Sequence, residues 1–302
     1  MAMNRAQFAA ELQPGLNALF GLEHGQYNDQ WKSVFEENSS NKAFEEDVLL
    51  DGFGAAPEKN EGAGVSYETA SEVWTARYDH KTYALAFSIT EEAEEDNLYG
   101  SLARRYVKAL ARSMAHTKDI TAANILNNGF DSDYTFGDGV ELLATTHPTT
   151  AGGTQSNELS TAADLSETSL ESLLINISTA KDDRGVPAAM MGTTLVIPPQ
   201  LVFIAERLLK SSLRPDTANN DVNAIKSTGL LPNGHHVMQR LSDVDAWFVK
   251  TDCPDGLKMF QRVAMKRGME GDFETGNIRY KARERYSFGA TDWRGVYGSP
   301  GA

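Results

Sequence analysis

One helical pattern of nearly forty residues constrains this chain more than any other feature. Between residues 90 and 128, Leu98, Leu102, Tyr106, Leu110 and Met114 recur every four positions and draw an apolar stripe. Ser88 and Glu91 have capping-box spacing at its start, with Thr90 as an alternative cap. Glu91, Glu92, Glu94, Glu95 and Asp96 crowd the first turns, and Arg104, Arg105, Lys108, Arg112 and Lys118 follow, the order the helix dipole favours. Asn127-Asn128-Gly129 closes the pattern. Unbroken, it spans roughly 55 Å at ~1.5 Å per residue, although Gly100 offers a place to divide it. A helix this long is the spine of its domain.

Charge is spread unevenly around that spine. The 302-residue chain carries a net charge of −14. Residues 1–100 hold 19 acidic and 6 basic side chains, against 23 and 22 in the remainder. A solvated surface explains a charge run taken singly. A whole acidic third also suits a segment that reaches over a basic surface of another molecule.

The same third is poor in core. Leu16, Leu19 and Phe20 continue a helical spacing begun by Phe8 and Leu12, which Pro14 and Gly15 interrupt. Trp31, Val34 and Phe35 form a second small cluster. Residues 47–90 read as a long two-stranded arm with a Gly- and Pro-bearing tip between Gly52 and Gly64. Val65, Tyr67 and Thr69 share one face, and Trp74, Ala76 and Tyr78 another. Beyond an Asp79-His80 turn, Tyr83, Leu85, Phe87 and Ile89 alternate with smaller residues. An isolated hairpin is marginal in water, so this arm needs a neighbour to lie on.

Downstream, residues 129–165 read as loops and short strands anchored by Tyr134, Phe136, Leu142 and Leu143. A compact α/β unit follows. Ser166 or Glu167 opens a helix through Ala180 with Leu170, Leu173, Leu174 and Ile177 inward, and Thr193 to Ile197 is a buried strand. Pro198-Pro199 opens a helix with Leu201, Ile204, Leu208 and Leu209 inward. Residues 211–229 form a polar loop, and strands lie at 237–240 and 246–251. At the end Ile278, Tyr280, Ala282, Tyr286 and Phe288 share one strand face, and Arg279, Lys281, Arg283 and Arg285 the other.

Reaction chemistry finds little footing. No apolar run exceeds the five residues Leu201 to Ala205, far from the ~20 that cross a bilayer, and the N-terminal stretch has no signal-peptide hydrophobic region. The single cysteine, Cys253, excludes an internal disulfide framework, and its acidic setting disfavours a thiolate. His235 and His236 are the only paired histidines, and neighbours on a strand face opposite ways. The acids of residues 91–95 resemble paired catalytic carboxylates but are more simply explained by the helix dipole. The Arg279–Arg285 stripe has no interleaved aromatics for base stacking and reads as a basic strand face. Neither a catalytic centre, a metal nor a cofactor is expected.

Several segments resemble the major capsid (major head) protein of Mu-like tailed phages. They include Ala109-Leu110-Ala111-Arg112-Ser113-Met114, the run from Asn124 to Phe130, Gly137-Asp138-Gly139 and Thr145-Thr146-His147-Pro148. The run from Tyr280 to Gly289 and Asp292-Trp293-Arg294-Gly295 belong with them. The resemblance implies an α+β chain with the Hong Kong 97-type capsid fold. It assigns residues 1–46 to an N-terminal arm and 47–90 to an extended hairpin loop. Residues 91–165 and 256–302 become a peripheral domain holding the spine helix, and 166–255 an axial domain. It further implies assembly into hexamers and pentamers of an icosahedral head, assembled in the host cytoplasm, around double-stranded DNA that is bound without sequence specificity. A separate scaffolding protein, a protease, a portal and possible decoration proteins would be its partners. Inter-subunit contacts are then expected at Trp31, Lys59, Trp74, Tyr83 and Phe87, and at Arg104, Arg105, Arg112, Arg279, Arg283 and Arg285. Lys59 lies near the loop tip, but neither an Asn nor an acid matches the covalent chainmail of the family's founding member, so no autocatalytic cross-link is expected. The competing readings are an encapsulin-like nanocompartment shell and a soluble hydrolase built on the acidic cluster or the His235-His236 turn.

Overall fold

The computed structural model describes residues 6–27, 29–62, 64–90, 99–213, 221–272 and 276–302. The acidic turn expected at 91–96, and the side chains of Phe8, Leu12, Leu98 and Leu102, lie outside that description. Helix α1 (Ala6–Gln26) runs through Pro14 and Gly15, where the sequence suggested an interruption. An internal proline costs a helix ~3 kcal/mol. Burial of Leu16 and Phe20 against the spine offsets it, each side chain contributing roughly 1.5–3 kcal/mol.

The spine, α2 (Tyr99–Asn127), has 29 residues and contains Gly100 without a break. Its buried face is Ala103, Val107, Leu110, Ala111, Met114, Lys118, Ala122 and Leu126. A strict four-residue repeat drifts off a 3.6-residue turn, and for that reason Tyr106 falls outside this stripe and stands 46% exposed.

Strands β1 (Glu36–Ser39), β4 (Lys81–Ile89), β10 (Leu257–Gly271) and β11 (Ile278–Ala290) form the first sheet, in the order β1-β10-β11-β4. The N-terminal β1 pairs parallel with β10, and β11 pairs antiparallel with both β10 and β4. The sheet's inner face, with Tyr280, Ala282 and Tyr286, lies under α1 and α2; Arg279, Lys281 and Arg283 face out. Strands β2 (Phe44–Leu50) and β3 (Glu72–Asp79) make a separate antiparallel pair. The expected strand at 65–69 is absent, and β3 starts at Glu72. Trp74, Ala76 and Tyr78 of β3 turn inward as their alternation implied, with Tyr78 edge-on to Phe260 at 4.8 Å.

The second sheet, β12-β9-β7-β8, comprises β7 (Gly192–Ile197), β8 (His235–Val237), β9 (Trp247–Thr251) and β12 (Val296–Ser299). Helix α3 (Glu167–Thr179) starts at a Ser166/Ser169 capping box and buries Leu170, Leu173, Leu174 and Ile177, the face read from sequence. It presses on β7 so closely that a Cβ at Gly192 would stand 2.9 Å from the Leu174 and Val249 side chains. Helix α4 (Val202–Lys210) buries Ala205 and Leu208. Inside the expected polar loop, Asn223 caps a short helix, α5 (Ala224–Thr228). Two-residue strands β5 (His147–Pro148) and β6 (Thr154–Gln155) lie in the connecting segment. Residues 291–299 are all buried. There Trp293 stacks on His147 at 4.3 Å, and Arg294 pairs with Asp183 and Asp292.

Candidate inter-subunit surface

Between β2 and β3 the described residues carry neither helix nor strand. This excursion exposes an apolar set that its own fold leaves uncovered: Leu50, Phe53, Val65 and Tyr67, the last 93% exposed. Its two legs are tied at the root. The Asp51 carboxylate accepts the Ser71 amide at 2.7 Å and the Ser71 hydroxyl at 2.9 Å. Those bonds, the amide first, hold its carboxyl below the usual range although burial opposes them. Further out, the Gly54 amide donates to Glu68 Oε2 at 2.7 Å. Arg184, from the turn that follows α3, reaches Asp51 at 3.0 Å and Glu68 at 3.6 Å and donates to the Thr69 carbonyl.

Basic side chains lie on two outer faces. Arg104, Arg105 and Arg112 of α2 are exposed and make no ion pair among the described residues, whereas Lys108 is held by Glu23 at 2.6 Å. On β11, Arg279 pairs with Asp272 and Arg283 is exposed. Arg285 is committed internally, donating to the carbonyls of His80 and Ala43. His80 sits between Ser287 and Ser40, 2.9 and 3.0 Å from their hydroxyls. Burial first, and Arg285 next, hold its pKa below the ordinary value.

These positions sort the expected contact residues. Lys59, Arg104, Arg105, Arg112, Arg279 and Arg283 are exposed. Trp31 and Trp74 are not offered to a neighbour: they are 1% and 8% exposed in the chain's own core. Trp31 meets Phe288 edge-on at 5.6 Å, and the Trp74 indole N–H donates to the Thr291 carbonyl at 3.0 Å. Tyr83 stacks on Tyr286 at 4.6 Å, and Phe87 leans on Tyr106 and Tyr280, so both are half spent on their own subunit. Apolar residues in an arm look unpartnered from sequence because their partners, Phe288 and Thr291, lie more than two hundred positions away. Sequence reading missed Arg184, whose only signal was a lone base among Asp182, Asp183 and Gly185.

His236 donates to the Gln30 carbonyl at 2.8 Å, while His235 faces Glu206 at 3.8 Å. Each therefore has a partner within the fold. Burial and Asp292 push the Cys253 thiol far up, so it is no nucleophile at neutral pH. Among the described residues no group of three His, Cys, Asp or Glu side chains is placed to hold a metal, and no helix is long and apolar enough to cross a membrane.

The described residues form an α+β chain with an uncovered apolar excursion and exposed basic faces. The phage capsid protein family matches residues 72–299, three quarters of the chain, and the chain belongs to that family. Its role is structural, as a capsid protein of the virion with the Hong Kong 97-type fold. The capsid of a native GTA particle superposes with a TM-score of 0.56 at 11% identity, covering 91% of this chain and 90% of that one. The virus-like particle from Pyrococcus furiosus gives 0.54 at 11% identity, covering 94% and 97%. The procapsid of bacteriophage JBD30 gives 0.53 at 17% identity, covering 98% and 76%. No curated protein matches by sequence.

Proposed function

We propose that this chain is the major head subunit of a Mu-like tailed phage, assembling as hexamers and pentamers of an icosahedral shell around double-stranded DNA. In this reading residues 1–46 are the arm, 47–90 the extended loop, 91–165 with 256–302 the peripheral domain, and 166–255 the axial domain. Assembly takes place in the host cytoplasm with a separate scaffold and a portal. The observation that carries it is the excursion between β2 and β3: Phe53, Val65 and Tyr67 are uncovered beside an arm rich in carboxylates. A second copy supplies both what they lack, an apolar cover and the exposed arginines of α2 and β11. Each exposed ion pair contributes only ~0.2–1 kcal/mol, and repetition around a closed shell makes the sum large.

The test is electron microscopy of the chain co-expressed with its scaffold. Closed shells with rings of five and six are expected, and a persistent monomer in every condition rejects the reading. Nuclease-protected double-stranded DNA in particles from infected cells separates a phage head from a shell loaded with a protein cargo.

A further inference from the structure

The α/β unit around the second sheet carries two features that its own fold leaves unused. The first is on α4. Phe203 stands on the helix face away from the buried Ala205 and Leu208, and at 77% it is the most exposed phenylalanine among the described residues. Four positions on, and so on the same face, Arg207 is exposed and makes no ion pair among the described residues. The second is a pocket of about 270 Å³ where α3 and α5 meet, lined by Leu174 and Ile175 of α3 and by Ala224, Ile225 and Thr228 of α5. Ile175 is 61% exposed there. Glu171, four positions before Ile175, lines the same pocket and likewise has no ion pair among the described residues.

Both features set an apolar group and a charge four residues apart, ~6 Å along a helix, and the two charges are opposite. The pocket exceeds the ~150 Å³ that takes up a benzene ring. Phe203 is not among the residues that line its own pocket. A projecting group and a complementary pocket elsewhere on one molecule fit together between copies, head to tail, and such contacts close into rings when the rotation allows. A small apolar ligand would fill the pocket yet leave Phe203 and both charges unused, whereas a second copy uses all of them.

We propose that Phe203 of one copy seats in the α3–α5 pocket of the next, with Arg207 meeting Glu171, as a contact that closes rings of this chain. The inference rests on the shell-subunit reading above and assigns part of its ring contact to named side chains. Phe203 precedes Arg207, while Glu171 precedes Ile175, so α4 of one copy runs antiparallel to α3 of the next. Removal of the Phe203 ring and Ile175 from water supplies the attraction, and the charge pair fixes the register.

Full-length variants tested beside wild type, in conditions where wild type forms rings or shells, decide the matter. Phe203→Ser should raise the concentration at which assemblies appear by about tenfold or more, as loss of a seated aromatic does, with the monomer's unfolding midpoint unchanged. Arg207→Glu and Glu171→Arg should each raise it too, and the chain carrying both reversals should return toward wild type. Wild-type thresholds in the single variants, or a double reversal no better than either single one, overturn the seating and leave the shell-subunit reading intact. A wild-type chain that stays monomeric in every condition overturns that reading and the proposal with it. If Phe203→Ser does not fold, the charge reversals decide alone.

Discussion

The indole N–H of Trp74 donates to the carbonyl oxygen of Thr291, 217 positions further along, and so pins the root of the extended arm to the chain's own C-terminal segment. Trp74 is therefore a keystone of the subunit. Trp74→Ala should destabilise the unassembled subunit by ~3–5 kcal/mol, the usual cost of emptying a large aromatic site. Trp74→Phe should cost less, leaving mainly an unsatisfied buried carbonyl worth ~1–3 kcal/mol. Urea unfolding of monomer followed by fluorescence checks both, and an unchanged midpoint for Trp74→Ala contradicts the packing.

Tyr67 gives the opposite expectation. No described residue of its own chain covers it, so Tyr67→Ser should leave the monomer's stability within ~0.5 kcal/mol and raise the concentration at which shells appear. Light scattering against protein concentration reads that threshold. An unaltered threshold means the arm tip lies outside the subunit contacts.

Arg184 should act on the arm's motion rather than on global stability. Arg184→Ala removes the base that spans Asp51, Glu68 and Thr69 while keeping the Ser71 bonds to Asp51. Backbone amides near 51–71 should exchange with deuterium faster, and the unfolding midpoint should shift by less than ~1 kcal/mol, as for a partly exposed ion pair. Unchanged exchange would mean that Ser71 alone fixes the root.

Asp119 sets a pH dependence. Burial, with Asp29 adding, raises its carboxyl to about 6, against which the Trp31 and Gln30 amides pull. A folded-state value above the unfolded one favours the folded chain fully below the ordinary carboxylate range, and that contribution is lost as pH rises through about 6. Asp119→Asn cannot ionise, so relative to wild type it should gain stability between pH 4 and pH 7. Denaturant midpoints of both proteins across that range decide it, and parallel curves refute the assignment.

How much of this was legible in the sequence depended on how far each residue's partner lay. The inward face of α3, with Leu170, Leu173, Leu174 and Ile177, is a local property of helical spacing and was read directly. The spine was placed, but its stripe was drawn through Tyr106 because a four-residue repeat looks helical over short spans and drifts over long ones. Pro14 looked like a break, since the burial of Phe20 that overrides it comes from tertiary contact. Trp31 and Trp74 looked like free surface for the same reason. The apolar alternation of β11 was read around Glu284, which is 2% exposed, rather than through it. A carboxylate in phase with Ala282 and Tyr286 was the signal available.

The pairing of β1 with β10 has a temporal consequence. The N-terminal strand finds its hydrogen-bonding row in residues made more than two hundred positions later, and non-local pairings of this kind form late. A chain still on the ribosome leaves its first sheet edge unzipped and its arm unanchored. The row that β1 needs emerges only with residues 258–261, so until then the partly made chain has no completed edge on that side of the sheet.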